Sequence, residues 1–229
     1  GVADSFELGG KSLGRLELVA GNGGSAAQPV WSLQKLALTT PEARMNASGS
    51  WQREPGQAAR RMALTFALDF SNGGALLARL GIPDALSGGQ GKLEGDLTWR
   101  GSPLAIHFPT LGGQLKLNTS KGQFLKASAG AGRLLGVLSL QSLPRRITLD
   151  FRDVFSEGFA FDSITATAEL KSGVLSTRDF RMRGASANVL IEGSTDIGRE
   201  TQALHVLVLP EIDASSASLR MRGGGIARD

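Results

Sequence analysis

Alternation of apolar and polar residues, repeated in segment after segment, constrains this 229-residue chain more than any other feature. In RMALTFALDF, Met62, Leu64, Phe66, Leu68 and Phe70 fall on one side of an extended chain, with Ala63, Thr65, Ala67 and Asp69 on the other. GKLEGDLTW sets Leu93, Leu97 and Trp99 against Lys92, Glu94, Asp96 and Thr98. LAIHF aligns Leu104, Ile106 and Phe108, and GQLKLN aligns Leu115 with Leu117. RITLDFRD sets Ile147, Leu149 and Phe151 against Thr148, Asp150 and Arg152. SITATAEL (Ile164, Ala166, Ala168, Leu170), ASANVLIEG and ALHVLVL continue the series. A side-chain period of two, with one dry and one wet face, predicts the strands of an antiparallel sheet.

The connectors SGGQG, RGSP, LGGQ, SKGQ, KSG and MRG are short and made of turn formers, in a chain with 31 glycines. Successive strands therefore pair as a meander. MNASGSW, KLEGDLTW and VLIEGSTDI each place a glycine (Gly49, Gly95, Gly193) among alternating residues, a faint echo of a repeated β unit.

Two insertions break the pattern. Within 71–86, NGGALLARLGIPDAL puts Leu76, Leu77 and Leu80 at helical spacing, stopped by Gly81 and Pro83. Within 131–143, Leu134, Leu135, Val137, Leu138 and Leu140 precede Pro144 and cover more than half of a helical circumference. A segment that apolar is buried against the sheet or in contact with lipid. The Ser/Gly-rich residues 213–229 are expected to form a flexible tail.

Chemistry is sparse. The chain has no cysteine, and its histidines, His107 and His205, stand alone on polar strand positions. Asp150, Asp153, Glu157 and Asp162 are crowded, but read as strand-face and turn-capping carboxylates. No G-x-S-x-G elbow or phosphate-loop spacing occurs, and no cofactor, metal or catalytic residue is expected. The 25 basic and 21 acidic residues give a net charge of +4, too small and too dispersed for a nucleic-acid partner. No apolar run approaches the ~18 residues that span a bilayer. The chain opens on Gly1 and shows no signal peptide, so it is expected to be a piece of a longer protein.

One-sided strands need a partner layer. A second sheet gives a sandwich, closure gives a barrel, and a trough lets the apolar lining meet acyl chains. Periodicity leaves these three open.

The stretch GRLLGVLSLQSLPRRITLDFRDVFSEGFAFDSI resembles the C-terminal region of the YhdP branch of the AsmA-like family of Gram-negative envelope proteins. LLARLGIPDALSGGQGKLEGDLTWRGSP upstream and ANVLIEGSTDIGRETQALHVLVLPEI downstream extend the likeness over about residues 60–212, with residues 1–59 similar only to generic AsmA-like strands. The resemblance implies a mainly β fold. Its form is a curled antiparallel sheet, a taco-like repeating β-groove spanning 1–212, with one or two short helices. It implies a noncatalytic conduit that shields phospholipid acyl chains between inner and outer membranes. Such a segment sits in the periplasm, as part of an inner-membrane-anchored protein reaching toward the outer membrane. Its partners would be phospholipid and, at the C-terminal end, the outer membrane or an outer-membrane protein.

On this reading the lining comprises Leu64, Phe66, Leu68, Phe70, Leu93, Leu97, Trp99, Ile106, Phe108, Ile147, Leu149 and Phe151. The segment with Leu134, Leu135, Val137, Leu138 and Leu140 gates the groove or touches membrane. Arg145 and Arg146 meet lipid phosphates or, alternatively, cap that helix. The rival expectation is a TamB-like module that supports outer-membrane biogenesis by binding protein at an exposed strand edge.

Overall fold

A computed structural model describes residues 1–125 and 158–211, apart from positions 9, 27, 55, 57, 58 and 200. Among these residues the chain is one antiparallel sheet of eleven strands, accompanied by a two-stranded ribbon. The first strands are β1 (Val2–Ala3), the ribbon β2 (Glu7–Leu8) and β3 (Lys11–Ser12), and then β4 (Arg15–Gly24), β5 (Pro29–Thr39), β6 (Ala43–Arg53) and β7 (Arg60–Phe70). A helix α1 (Gly73–Arg79) leads to β8 (Leu86–Arg100) and β9 (Gly112–Phe124). The last strands are β10 (Phe159–Lys171), β11 (Val174–Arg183), β12 (Ala187–Asp196) and β13 (Thr201–Pro210). From β5 onward every strand pairs with the one before it, and β1 pairs with β4. The sheet is open, with β1 and β13 at its two edges.

Turn chemistry explains the meander. Between β10 and β11, Ser172 (φ 51°) and Gly173 (φ 78°) both occupy the left-handed region. Two such residues form the mirror-image turn whose twist suits a hairpin.

The sheet curls around its apolar face, and local irregularities allow the bend. Leu33 faces Gly49 while Leu36 faces Ala47, so β5 carries one residue more than β6. Likewise Thr177 faces Gly193 and Phe180 faces Ile191, one extra residue in β11. Each is a β-bulge, which bends and twists its strand. The bulges keep Trp31, Leu33, Leu36 and Leu38 on one face despite the slip in their spacing. Both bulges lie beside glycines of the sequence echo. A Cβ on Gly49 would lie 2.2 Å from the Ala63 carbonyl oxygen, and one on Gly193 (φ 136°) 2.1 Å from that of Ala203. The third, Gly95, makes room for side chains as well as backbone: a Cβ there would meet Leu115 at 2.6 Å, and Phe66 and the Gln114 carbonyl oxygen at 2.8 Å.

The β11 bulge has its own latch. The Asp179 carboxylate accepts the Thr167 backbone N–H (2.8 Å) and hydroxyl (2.8 Å), while the Thr177 hydroxyl donates to the Thr167 carbonyl (2.7 Å). Donation from the Thr167 N–H holds the Asp179 carboxyl below the ordinary aspartate range.

The first insertion contains a two-turn helix. The Asn72 side chain accepts the Ala75 N–H (3.0 Å), and the helix ends before Gly81 (φ 88°). Arg79 in its last turn grips Glu42, the one buried charged residue among those described, and donates to the Ser12 carbonyl (3.2 Å). Lys11 donates to the Leu80 carbonyl. The helix is thereby tied to both the β5–β6 turn and the ribbon.

One expected strand is absent. Residues 104–108 lie in the β8–β9 connection, which ends in a 3-10 turn at Phe108–Thr110. Pro103 and Pro109 bracket the segment, and a proline has no N–H to give a ladder. Its alternation was a coincidence of loop composition. The 131–143 insertion and the strand expected at 147–151 lie outside the described residues.

Candidate functional site

The candidate site is a whole face of the sheet. Cross-strand registers bring the expected β7 and β8 positions together: Met62 faces Trp99, Leu64 faces Leu97, and Leu68 faces Leu93. Phe66 faces Gly95, and Phe70 faces Gly91. The same rows run outward in both directions. Toward β1, Leu68 meets Met45, which meets Leu38, which meets Leu16. Toward β13, Leu93 meets Leu117, which meets Ala166, and the β11–β13 rows add Phe180, Ile191 and Val206. An apolar stripe thus crosses the sheet from β4 to β13.

Two clusters thicken it. Near one end of the strands, Phe159, Phe161, Ile164, Met182, Val189 and Ile191 are buried together, with Phe124 and Leu117 against them. Phe159 and Val189 are 1% and 0% exposed, each worth roughly 1.5–3 kcal/mol of transfer free energy. The Phe124 and Phe161 rings stand 5.4 Å apart and tilted by 43°. Leu117 and Phe124 reach the same layer despite opposite parity, because Lys121 between them adopts φ 55° and turns β9 over. Near the other end, Met62, Trp99, Leu111 and Leu170 form the second cluster, flanked by Trp31, Trp51 and Leu97. Gln202, on the apolar face beside Thr195, holds a buried amide nitrogen without a hydrogen-bond partner.

The opposite face is wet and charged. Lys35 donates to Glu17 (2.7 Å), Lys92 pairs with Glu94 (2.6 Å), and Thr65 donates to Asp96 (2.5 Å). The Lys35 hydrogen bond draws the Glu17 carboxyl down, and Lys92 does the same to Glu94. These exposed pairs hold polarity on that side rather than much stability.

Among the expected lining residues, Leu64, Phe66, Leu68, Phe70, Leu93, Leu97 and Trp99 share the apolar face. Ile106 and Phe108 do not: they project from the β8–β9 loop and are about half exposed, with Leu104 almost fully so. Ile147, Leu149 and Phe151 lie outside the described residues. So do Leu134, Leu135, Val137, Leu138 and Leu140, together with Arg145 and Arg146. His107 faces Thr110 (2.9 Å) in the loop rather than a strand neighbour, whereas His205 stands on the wet face of β13 opposite Glu192. Asp162 lies within β10 rather than in a turn. Among the described residues no three His, Asp or Glu side chains converge on a metal-sized site, and no helix is long and apolar enough to cross a membrane.

Reading the sequence alone passed over the face contributed by β4–β6, notably Trp31, Leu36 and Trp51. The bulge at Gln34–Lys35 interrupts its alternation. A search for two alternating runs joined by a one-residue slip would have found it.

The sequence model of the YhdP protein family matches residues 1–221, which takes in the N-terminal strands as well. The chain is 34% identical over 179 residues to a protein of Escherichia coli (strain K12) named "Intermembrane phospholipid transporter YhdP". That alignment covers 78% of this chain and 14% of the relative, so the chain spans only a small part of that protein's length. No solved structure matches.

Proposed function

The chain belongs to the YhdP family, and on that premise we propose that it is a noncatalytic segment of a phospholipid conduit in the cell envelope. The relative's name concerns a protein of which this chain matches a small part, so the groove reading rests on the chain's own geometry. The observation that carries it is the unbroken apolar stripe from β4 to β13, backed by a charged face. Strands run across such a groove, and the stripe runs along it. Acyl chains resting on Leu64, Phe66, Leu68, Leu93 and Leu97 stay out of water at every step. Dispersion contacts have no preferred direction, so a chain can slide without breaking hydrogen bonds. Headgroups remain at the wet rim formed by the strand ends. The open sheet edges at β1 and β13 allow the stripe to continue into neighbouring segments. The conduit would stand in the periplasm, carrying phospholipid between the inner and outer membranes.

Native mass spectrometry of the purified chain tests this. Phospholipid masses should accompany the protein, and Leu68→Glu on the apolar face should remove them. Thr65→Glu, on the wet face, should leave them in place. If circular dichroism shows Leu68→Glu to be misfolded, Leu97→Glu serves the same purpose. A folded wild-type chain that carries no lipid, or a Thr65→Glu variant that loses lipid as fully as Leu68→Glu, would count against the conduit. Capture of a polypeptide at the β13 edge with no lipid would favour the assembly-module alternative.

A further inference from the structure

We propose that the β8–β9 loop, with the strand ends beside it that carry the tryptophans, is a membrane-contact site that docks on an anionic bilayer surface. The proposal does not require the apolar face to carry lipid. All three tryptophans of the chain lie in or beside one cross-strand row: Trp31 faces Trp51, Trp51 faces Met62, and Met62 faces Trp99. Trp99 is buried in the sheet's own cluster, but Trp31 and Trp51 are partly exposed, and indoles, with an apolar body and one N–H, favour the boundary between water and lipid. Just beyond this row the β8–β9 loop projects outward. Its Leu104 is 96% exposed, Ile106 47% and Phe108 44%. The hairpin turns beside it instead carry glycine, serine and charged residues.

This loop is braced. The Trp51 indole N–H donates to the Gly101 carbonyl (2.6 Å), and that of Trp99 to the Ser102 carbonyl (2.8 Å). The Arg100 N–H donates to the Thr110 hydroxyl (3.0 Å), and the Leu104 N–H to the Ser102 hydroxyl (3.1 Å). A loop held at both ends that presents three large apolar side chains to water has no burial partner for them among the described residues, and a bilayer interface would supply one.

The charge at this edge names that partner. Arg61 is paired with Glu54 (2.7 Å) and Arg199 with Asp196 (3.8 Å). Arg53, Arg60, Arg100 and Lys171 form an excess of positive charge there among the described residues, with Arg60 stacked 4.3 Å over the Trp51 ring. The opposite strand ends carry both signs: Glu42, Asp69 and Glu211 alternate with Arg44, Lys121 and Arg183. Apolar tips flanked by arginine and lysine suit the interface of a bilayer containing anionic lipid, where the tips enter the acyl boundary and the cations meet phosphates.

Sedimentation with vesicles of phosphatidylethanolamine and phosphatidylglycerol tests the proposal. The chain should pellet with these vesicles and bind vesicles of phosphatidylcholine alone more weakly. Because every tryptophan lies at this edge, phosphatidylglycerol with brominated acyl chains should quench the intrinsic fluorescence. Leu104→Asp combined with Ile106→Asp should weaken vesicle binding by about tenfold or more, since two apolar tips are lost. Arg100→Glu combined with Lys171→Glu should weaken binding to phosphatidylglycerol vesicles and reduce its salt sensitivity. Val19→Asp, at an exposed apolar position elsewhere, should leave binding unchanged. All these sites are exposed, so unchanged circular dichroism is expected throughout. A chain that stays in the supernatant with both vesicle types, or a loop variant that pellets like the wild type, would overturn the proposal. So would a chain that ignores vesicles but captures protein through this loop. The double loop variant should still carry lipid if the conduit reading holds, so the two readings fail separately.

Discussion

Asp179→Ala removes the carboxylate that latches the β11 bulge. Its partners are the Thr167 N–H at 2.8 Å, the Thr167 hydroxyl at 2.8 Å and the Thr177 hydroxyl at 3.4 Å. A buried carboxylate losing charge-assisted bonds would cost about 1.5–3 kcal/mol for each strong one. Here the residue is exposed, so water can replace the lost acceptor, and a total of about 1–2 kcal/mol is expected at neutral pH. The pH dependence supplies the sharper test. The folded carboxyl titrates below its unfolded value because Thr167 donates to the ionised form. Its contribution is therefore complete above the unfolded pKa of about 3.9 and fades as pH falls through the lower folded value. Urea unfolding followed by circular dichroism, on wild type and Asp179→Ala, should show the deficit at pH 7 and at about pH 5, shrinking below about pH 3.5. Asp179→Asn keeps an acceptor oxygen without the charge and should fall between the two. A deficit of the same size at all three pH values, or none at pH 7, would refute the latch.

Other perturbations probe the remaining parts of the fold. Gly193→Ala places a Cβ 2.1 Å from the Ala203 carbonyl oxygen at φ 136° and should cost about 1–3 kcal/mol in urea unfolding. Gly23→Ala, where nothing lies within 4 Å, should change little. Glu42→Gln leaves Arg79 without its charged partner and should cost about 1.5–3 kcal/mol, with faster amide exchange in α1 than in β10. Glu42 is held below its ordinary value by the Arg79 hydrogen bond. Its contribution should thus persist down to about pH 4 and disappear in more acid solution, a slope missing from the Gln variant.

The parts of this fold legible in the sequence are those where alternation runs without a slip. RMALTFALDF and GKLEGDLTW fixed both the strands and the face, because each residue parity has one consistent character. VWSLQKLALT did not, since its Trp and Leu residues fall at 31, 33, 36 and 38 and the phase changes within one strand. Only the pairing with β6 shows that the slip is a bulge. LAIHF carried perfect alternation and is a loop, because a short pattern between two prolines has no ladder to join. Gly49, Gly95 and Gly193 were visible as an echo, and the structure gives it a cause. All three relieve close contact with a neighbouring strand's backbone, two of them at bulges, and Gly95 also makes room for Phe66 and Leu115. The exposed β8–β9 loop was hidden for a related reason. Its apolar alternation reads as lining, yet Leu104, Ile106 and Phe108 stand exposed in a connection between two strands.

The central claim is that the face defined by even-numbered β7 positions meets acyl chains and its odd-numbered face does not. Photoreactive side chains placed singly at Thr65, Phe66, Ala67 and Leu68, in cells making the full-length protein, put both faces in one measurement. Phospholipid adducts are expected by mass spectrometry at Phe66 and Leu68, and none at Thr65 and Ala67. Adducts of equal yield at all four positions, or polypeptide and no lipid at Phe66 and Leu68, would contradict it.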